Sequence, residues 1–292
     1  MLYRNPRAPR PQPEQAGRGE NRELFRLLVI VGLLIVTGVA LIDRLTGWLA
    51  PKLPFSLEVR LADSLSFNAL VEAEASSVPR DVERRRAITA DLQQRGQKIL
   101  RALQAPPDLT ITLHYLESDT VNAVTTIGGH IILFSGLLEK LRYEEELDAI
   151  LAHEIGHVLH RHVVQHLSRG VTMAVALGLL GVRNVSLNQW LLGDLHQLEQ
   201  LAYSRDAERE ADETAILASR RLYGGAAGVA SVFDLFNSLQ RTSAPAWTQS
   251  HPLPAERAQH ARAVDQIDRQ AKALTPLAPP LKPGAQNDRS RR

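Results

Sequence analysis

The histidine pair His153 and His157, with Glu154 directly after the first, constrains this chain more than any other feature. Apolar residues around the pair recur at three- and four-residue steps, and acidic residues at positions 144–148 precede it, which together predict a helix. Residues four apart on a helix lie on one face, so both imidazoles can bind one zinc ion. Glu154 lies close enough to take a proton from a metal-bound water, which indicates a hydrolase.

A catalytic zinc ion needs a third protein ligand and an open position for water. The acidic segment at residues 204–213 offers carboxylates for this purpose. Helical spacing pairs Glu208 with Asp212, and it also pairs Asp206 with Glu210. Either pair can supply one ligand and one carboxylate that orients a zinc-bound histidine, so spacing alone leaves the choice open. Without the histidine motif, the same segment would indicate only a charged, solvent-exposed helix face.

Three further histidines, His160, His162 and His166, follow the pair. On the predicted helix they lie away from the face that carries His153 and His157, or beyond the turn that contains this pair. We interpret them as surface residues or as residues behind the ligands, and the solvated face is the favoured interpretation.

Four segments between residues 120 and 260 occur in a fixed order. They are residues 121–138 with Asn122 and the Gly128-Gly129 pair, the helix of His153 and His157, the segment from Glu208 to Asp212, and His251-Pro252 followed by Arg257. Together they resemble the membrane-associated gluzincin metallopeptidases, which include HtpX-like proteases, CAAX prenyl proteases and the mitochondrial and periplasmic quality-control proteases. Val124 and Ile127 depart from the usual Phe and Pro of that family, at the entrance to the strand.

The resemblance implies one zinc ion per chain, bound by His153, His157 and Glu208, with Asp212 orienting a ligand. Glu154 would act as general base and acid in hydrolysis of a peptide bond. His251 and Arg257 are candidates for stabilising the oxyanion, with Asn122 a weaker one. His251 can instead bind zinc in place of water, which would make a latent enzyme. The breaker-rich segment at residues 242–249 would then allow movement.

The implied function is a zinc metalloendopeptidase that cleaves unfolded, misassembled or membrane-associated proteins. The alternative is a zinc-containing chaperone or assembly factor, although a purely structural site needs no general base. A prenyl-protein protease is a third option, weakened because that branch has many membrane helices and this chain has one candidate. Another divalent metal can replace zinc in the same residues.

The fold class predicted is α+β, a mostly helical zincin-like domain with a small sheet beside the active-site helix. Residues 109–116 alternate in polarity, and His130 to Phe134 is an apolar run between glycine-containing turns. The second strand is interpreted either as an edge strand that pairs with substrate or as a buried core strand. Residues 56–273 are expected to form the catalytic domain, followed by a loose tail at 274–292.

Residues 24–50 form a candidate membrane anchor, centred on 16 apolar, glycine or threonine residues from Leu27 to Ile42. A cleaved signal peptide is the main rival, but the small-residue site near Ala50 is followed by Pro51. Six arginines and three glutamates in residues 1–26 place the N-terminus in the cytoplasm by the positive-inside rule. The prediction is therefore a single-pass protein of the bacterial inner membrane with a periplasmic catalytic domain. Residues 1–23 are expected to be disordered.

The apolar run Val171–Val182 is too short to span a membrane, and we interpret it as a core helix or as a helix resting on the bilayer. The chain has no cysteine, which excludes a disulfide framework and thiolate ligands. A formal charge of +2 and the lack of nucleic-acid motifs argue against nucleic-acid binding. The partners expected are a protein or peptide substrate and the membrane.

Overall fold

Helices dominate the part of the chain that the computed structural model describes, which comprises residues 16–49, 52–64, 82–167, 203–241, 245–252, 255–268 and 273–281. The helices named here are α1 (Ala16–Leu49), α2 (Phe55–Ser64), α3 (Val82–Leu103), α4 (Ser135–Leu138), α5 (Glu144–Leu159), α6 (Arg205–Tyr223), α7 (Ala227–Gln240), α8 (Ala246–Ser250) and α9 (Ala255–Asp268). Residues 162–167 are also helical. The strands are β1 (Thr112–Leu116), β2 (Ala123–Thr126) and β3 (His130–Phe134). The α+β prediction, with a small sheet beside a central helix, is confirmed.

The three strands form one sheet in the order β1-β3-β2, with β1 parallel and β2 antiparallel to β3. The strand β3 is therefore central, and all five of its residues are buried. The edge-strand interpretation of His130–Phe134 is wrong, because hydrogen-bonded neighbours occupy both of its sides. The edge that faces α5 belongs to β2, which a 3-10 turn at Ile127–Gly129 joins to β3.

Helix α5 runs through the centre of the domain, and its residues from Glu145 to Val158 are all buried. The carboxylate of Glu146 accepts hydrogen bonds from the backbone N–H groups of Arg142 and Tyr143, at 2.7 and 3.1 Å, and so caps the helix start. The acidic start predicted from the sequence is therefore used as a cap. Helices α3, α6 and α7 and strand β2 pack around α5 and hold it rigidly.

Gly156 allows α6 to approach α5 closely. A Cβ added to Gly156 would lie 2.9 Å from Cα of Ala211 and 3.1 Å from Cβ of Thr214. This contact falls between the two histidines of α5 and the acidic residues of α6, so a glycine here brings the two groups within reach of each other.

We expect Gly156→Ala to destabilise the fold by about 1 to 3 kcal/mol, since the added methyl group overpacks a helix contact that includes backbone. Because the same contact sets the spacing of the candidate metal ligands, metal affinity should fall as well. Thermal unfolding and a chelator competition measure the two effects. The matched control is Gly225→Ala, whose added Cβ would lie 3.5 Å from the nearest atom, in ordinary contact. Equal stability and metal affinity in the two variants would contradict this account of Gly156.

The two ends of the chain differ from expectation. Helix α1 begins at Ala16, so residues 16–23 are helical rather than disordered. The prolines of residues 1–15 all lie before this point, and the segment contains two arginines and two glutamates, which favour a helix. Residues 274–281 are not loose, because Thr275 and Leu277 form backbone hydrogen bonds with Glu144 and Arg142. Leu277 and Leu281 are buried in the main core. Residues 1–15, 282–292 and the predicted 171–182 segment lie outside the described residues.

Candidate metal centre

Four side chains direct their donor atoms toward one point between α5, α6 and α8. Nε2 of His153 lies 3.2 Å from Nε2 of His157 and 3.3 Å from Nδ1 of His251. The carboxylate of Glu208 lies 3.6 Å from both α5 nitrogens and 2.9 Å from Nδ1 of His251. All four side chains are at most 3% exposed. The structure thus groups His251 with the three residues predicted as ligands.

The spacing of these donors fits a tetrahedral cation. Four ligands at about 2.0 to 2.2 Å from a zinc ion lie about 3.3 to 3.6 Å from one another. The separations of 3.2, 3.3 and 3.6 Å in this cluster are close to that range, whereas Nδ1 of His251 and Oε1 of Glu208 are closer together, at 2.9 Å. Lone pairs that converge at these distances repel each other unless a proton or a metal cation lies between them. Three imidazoles and one carboxylate form a donor set that suits zinc and similar divalent metals.

Asp212 supports the cluster from behind His153. Its Oδ1 lies 3.1 Å from Nδ1 of His153, which fixes the ring with Nε2 toward the cluster. Burial would raise the pKa of Asp212, but hydrogen bonds with Arg257 and His153 hold this pKa below its usual value. Of the pairs that spacing left open, Glu208 and Asp212 are the two buried at the cluster; Asp206 and Glu210 are exposed.

His162 takes the corresponding place behind His157. Nδ1 of His162 lies 2.9 Å from Nδ1 of His157, and its Nε2 lies 2.9 Å from Oε2 of Glu210. His162 is 4% exposed, so the solvated-face interpretation of this residue is wrong. The chain turns at His160 and Arg161, where Arg161 has a φ of 61°, and residues 162–167 are helical again. A projection of one continuous helix does not show this change of direction. By contrast, His160 is exposed and contacts Thr214, while His166 is half-buried beside Tyr203.

Glu154 lies on the β2 side of the cluster and is fully buried. The hydroxyl of Thr125 donates to Oε2 of Glu154 at 2.7 Å. Its other oxygen, Oε1, has no hydrogen-bond partner among the described residues and lies 3.5 Å from Nε2 of His251. Burial raises the pKa of Glu154 to about 7, although nearby His153 and the Thr125 hydroxyl oppose this rise. A carboxyl of this pKa can both accept and return a proton near neutral pH.

Aromatic side chains close the cluster from solvent. The ring of Trp247 stacks on that of His251 with centroids 4.4 Å apart, and Tyr203 stacks on His157 at 3.9 Å. The backbone N–H of Trp247 donates to Val121 O at 3.1 Å, and the hydroxyl of Tyr203 donates to Thr125 O at 3.4 Å. These contacts hold Tyr203 against β2 and Trp247 against the residues that precede β2. A cavity of about 450 Å³ adjoins Glu208 and Asp212 from the α6 and α9 side, away from Glu154.

Arg257 and Asn122, which were expected to stabilise an oxyanion, differ in whether their hydrogen-bond donors already have acceptors. Arg257 is 5% exposed and binds Asp212 through two nitrogens at 2.6 and 2.7 Å. Its third nitrogen contacts Glu208 at 2.7 Å and Pro252 O at 2.6 Å. This engagement does not fit an oxyanion donor, because each nitrogen of Arg257 already faces an acceptor. Asn122, the weaker candidate, is fully buried, and its Nδ2 has no hydrogen-bond partner among the described residues.

The segment before His251 also differs from expectation. Residues 246–250, which we interpreted as part of a loop, form helix α8. The backbone N–H of His251 donates to Trp247 O at 2.8 Å and so continues that helical turn. Residues 242–244 lie outside the described residues.

Comparisons with known proteins agree with this geometry. The family model "Peptidase family M48" matches residues 86–265. The metalloprotease LoiP of Escherichia coli is 34% identical over 158 residues, which cover 51% of this chain and 60% of the relative. The putative beta-barrel assembly-enhancing protease of Vibrio cholerae is 26% identical over 162 residues, covering 50% of this chain and 33% of the relative.

A mitochondrial relative is similar over a comparable part of the chain. The metalloendopeptidase OMA1 of Bos taurus is 29% identical over 165 residues, covering 51% of this chain and 31% of the relative. The matched part of this chain therefore spans 60% of LoiP and about one third of the two longer relatives.

Proposed function

Because this chain belongs to peptidase family M48, we propose that it is a zinc-dependent metalloendopeptidase whose site is held in a closed, latent state. One observation carries the proposal. Three histidine nitrogens and one carboxylate oxygen lie within 4.8 Å of one another, and beside them is a buried glutamate with one oxygen that has no hydrogen-bond partner among the described residues.

His153, His157 and Glu208 would hold the metal, and His251 would complete the set in the closed state. When bound, zinc lowers the pKa of a water that binds it and polarises the scissile carbonyl. Thr125 holds one oxygen of Glu154, so the other oxygen is available to accept the proton of the attacking water and return it to the leaving amine. Asp212 and His162 keep the two α5 histidines oriented, and Arg257 keeps Asp212 and Glu208 in place.

His251 explains the proposed latency. It lies between the free oxygen of Glu154 and the carboxylate of Glu208, which is the position that the attacking water needs. An open site would require movement of α8 and of Tyr203, and their hydrogen bonds with Val121 and Thr125 would have to break. A substrate in extended conformation would then take over the backbone acceptors of β2. We propose that unfolded or misassembled chains, which offer such segments, are the substrates.

The helix α1 supports a membrane location. Its residues Asn21–Leu49 form one helix long and apolar enough to cross a bilayer. We propose that it is a single-pass anchor of a bacterial inner membrane, with arginines on the cytoplasmic side and the catalytic domain in the periplasm. The relatives named above for barrel assembly and for mitochondria support a role in protein quality control at membranes.

Digestion of unfolded casein by the full chain in detergent tests the proposal. Zinc-loaded protein should cleave casein internally but slowly, because only the open fraction of molecules reacts. A strong zinc chelator should abolish cleavage, and re-added zinc should restore it. Cleavage that persists in the chelator would exclude a metalloendopeptidase.

His162 gives a prediction for the metal site itself. Loss of the partner of a metal-bound histidine typically lowers metal affinity about 10- to 100-fold. We expect His162→Leu to show a loss of this size in a chelator competition, because Nδ1 of His157 would lose its acceptor. His162→Asn should retain more affinity, since its amide oxygen can accept the same hydrogen. The control is His160→Asn, which alters an exposed neighbour. Equal losses in the Leu and Asn variants would indicate packing rather than orientation of His157.

The second candidate function is a metal-containing chaperone or assembly factor that binds envelope proteins without cleaving them. The closed arrangement favours it, because four protein ligands and full burial are typical of structural zinc sites. Glu154 argues against it, since a structural site has no use for a buried carboxyl with a free oxygen.

A further inference from the structure

We propose that α2 lies on the bilayer surface and fixes the catalytic domain against the membrane, with one face on lipid and the other on the domain core. This inference rests on the proposed anchor and goes beyond the anchor itself. It assigns a lipid-contacting surface outside the part of the chain that the peptidase family model matches.

The lipid face is a stripe of three leucines. Leu53, Leu57 and Leu61 are 41%, 44% and 43% exposed. Leu57 and Leu61 lie one turn apart on the same side of α2, and Leu53 lies two residues before the helix begins. Outside α1, the described residues contain only six exposed large apolar side chains, and these three are half of them. Single exposed leucines are ordinary, but neighbouring exposed leucines form a continuous apolar surface.

The position of the stripe close to α1 indicates contact with lipid. Helix α1 ends at Leu49 and α2 begins at Phe55, and the five residues between them span at most about 18 Å. The start of α2 therefore stays near the headgroups of any bilayer that α1 crosses. Lys52 lies over the exposed ring of Trp48 at 3.4 Å, a pairing suited to the membrane interface.

Both basic and acidic residues lie beside the stripe, and the basic ones lie closer to it. Arg60 is exposed next to the leucines and, with Lys52, favours the anionic headgroups of the bilayer. Asp63 is also exposed, on the same flank as Arg60 but farther from the stripe. Apolar contact is therefore the main contribution to binding, with the two cations adding to it.

The opposite face of α2 is part of the catalytic domain. Phe55 is 4% exposed and belongs to the main core, and Ala62 packs on the turn between β2 and β3. Glu58 forms a buried ion pair with Arg161, which directly follows α5 and also donates to Leu53 O at 3.1 Å. A Cβ on Gly128 of the turn would lie 2.7 Å from Cβ of Ala62, so the contact is tight.

The contacts of α2 with the bilayer on one face and with the domain core on the other affect which substrates the enzyme can reach. The turn that α2 contacts follows β2 directly, and Thr125 of β2 holds Glu154. The catalytic centre is therefore held at a constant distance from the bilayer. Bonds close to the membrane surface, in membrane-associated or newly inserted proteins, should be reached in preference to bonds in distant loops.

Single spin labels test the lipid contact, and the lack of native cysteines makes them straightforward. The full chain, carrying one cysteine in place of Leu57 or Leu61, is reconstituted in vesicles of phosphatidylethanolamine and phosphatidylglycerol. Label accessibility is then measured to oxygen, which partitions into lipid, and to a water-soluble nickel complex. Leu217→Cys is the matched control, because Leu217 is 42% exposed and lies on α6. Leu34→Cys reports separately whether α1 is in the bilayer.

We expect the labels at positions 57 and 61 to show an oxygen-to-nickel ratio several-fold above that at position 217. A ratio equal to that at 217, with the label at 34 in lipid, would overturn the inference and leave the anchor standing. Low accessibility to both reagents would mean that protein covers the stripe, and would also overturn it. Neither measurement of label accessibility depends on proteolysis. A failure of the lipid contact can therefore be distinguished from a failure of the proposed enzyme activity.

Discussion

Replacing His251 with alanine is expected to raise the rate of casein cleavage about tenfold or more. In the closed state His251 takes the place between the donor cluster and Glu154, so only the fraction of molecules in which it has moved away can react. Removal of the side chain makes every molecule competent, and the gain equals the inverse of that fraction. The measurement is initial rates of cleavage by the His251→Ala variant and the wild type, both loaded with one equivalent of zinc.

Metal content must be measured in the same samples, because loss of one ligand also weakens zinc binding. His260→Ala is the matched control, since this histidine lies on the exposed surface of α9 and contacts Glu213. A fall in rate at full zinc occupancy would contradict latency and would assign His251 to stabilisation of the transition state. Absence of cleavage in both proteins would favour the chaperone function.

Replacing Glu154 with glutamine is expected to lower cleavage about 10²- to 10⁴-fold, in the wild type and in the His251→Ala background. General acid–base catalysis contributes a factor of this size, and glutamine cannot accept the proton. Its amide oxygen can keep the contact with the Thr125 hydroxyl, so the fold should be preserved. In the variant that combines Glu154→Gln with His251→Ala, the side chain that closes the site is absent. A low rate in this variant therefore reports loss of the general base alone.

The control for this experiment is Glu144→Gln, at the start of the same helix and away from the donor cluster. Zinc content should be the same in all of these proteins, because Glu154 is not among the four converging donors. Retained activity in Glu154→Gln, at equal zinc content, would contradict the assignment of Glu154 as the base.

Local patterns in the sequence predicted much of the site. The helix that carries His153, His157 and Glu154 follows from apolar spacing and from an acidic start, and the structure uses Glu146 of that start as a cap. The choice between two carboxylate pairs on α6 came from the family resemblance rather than from spacing. Packing against α5 settles the geometry, because it buries Glu208 and Asp212 and leaves the other pair exposed.

Features that depend on contacts between distant segments were not predictable. The order of strands places β3 in the centre, which an apolar run of five residues does not distinguish from an edge position. The burial of His162 depends on the turn after α5, and the burial of the cluster depends on the stacking of Trp247 on His251 and of Tyr203 on His157. Gly156 offered a signal that was missed, because a small residue between two candidate ligands is typical of a close helix contact.

The most direct test of the metal centre is anomalous diffraction from crystals of the zinc-loaded chain, measured on both sides of the zinc absorption edge. The account predicts one peak per chain, present above the edge only, and bounded by His153, His157, Glu208 and His251. A peak elsewhere, or no peak between these side chains at full zinc occupancy, would contradict the central claim that they hold the catalytic metal.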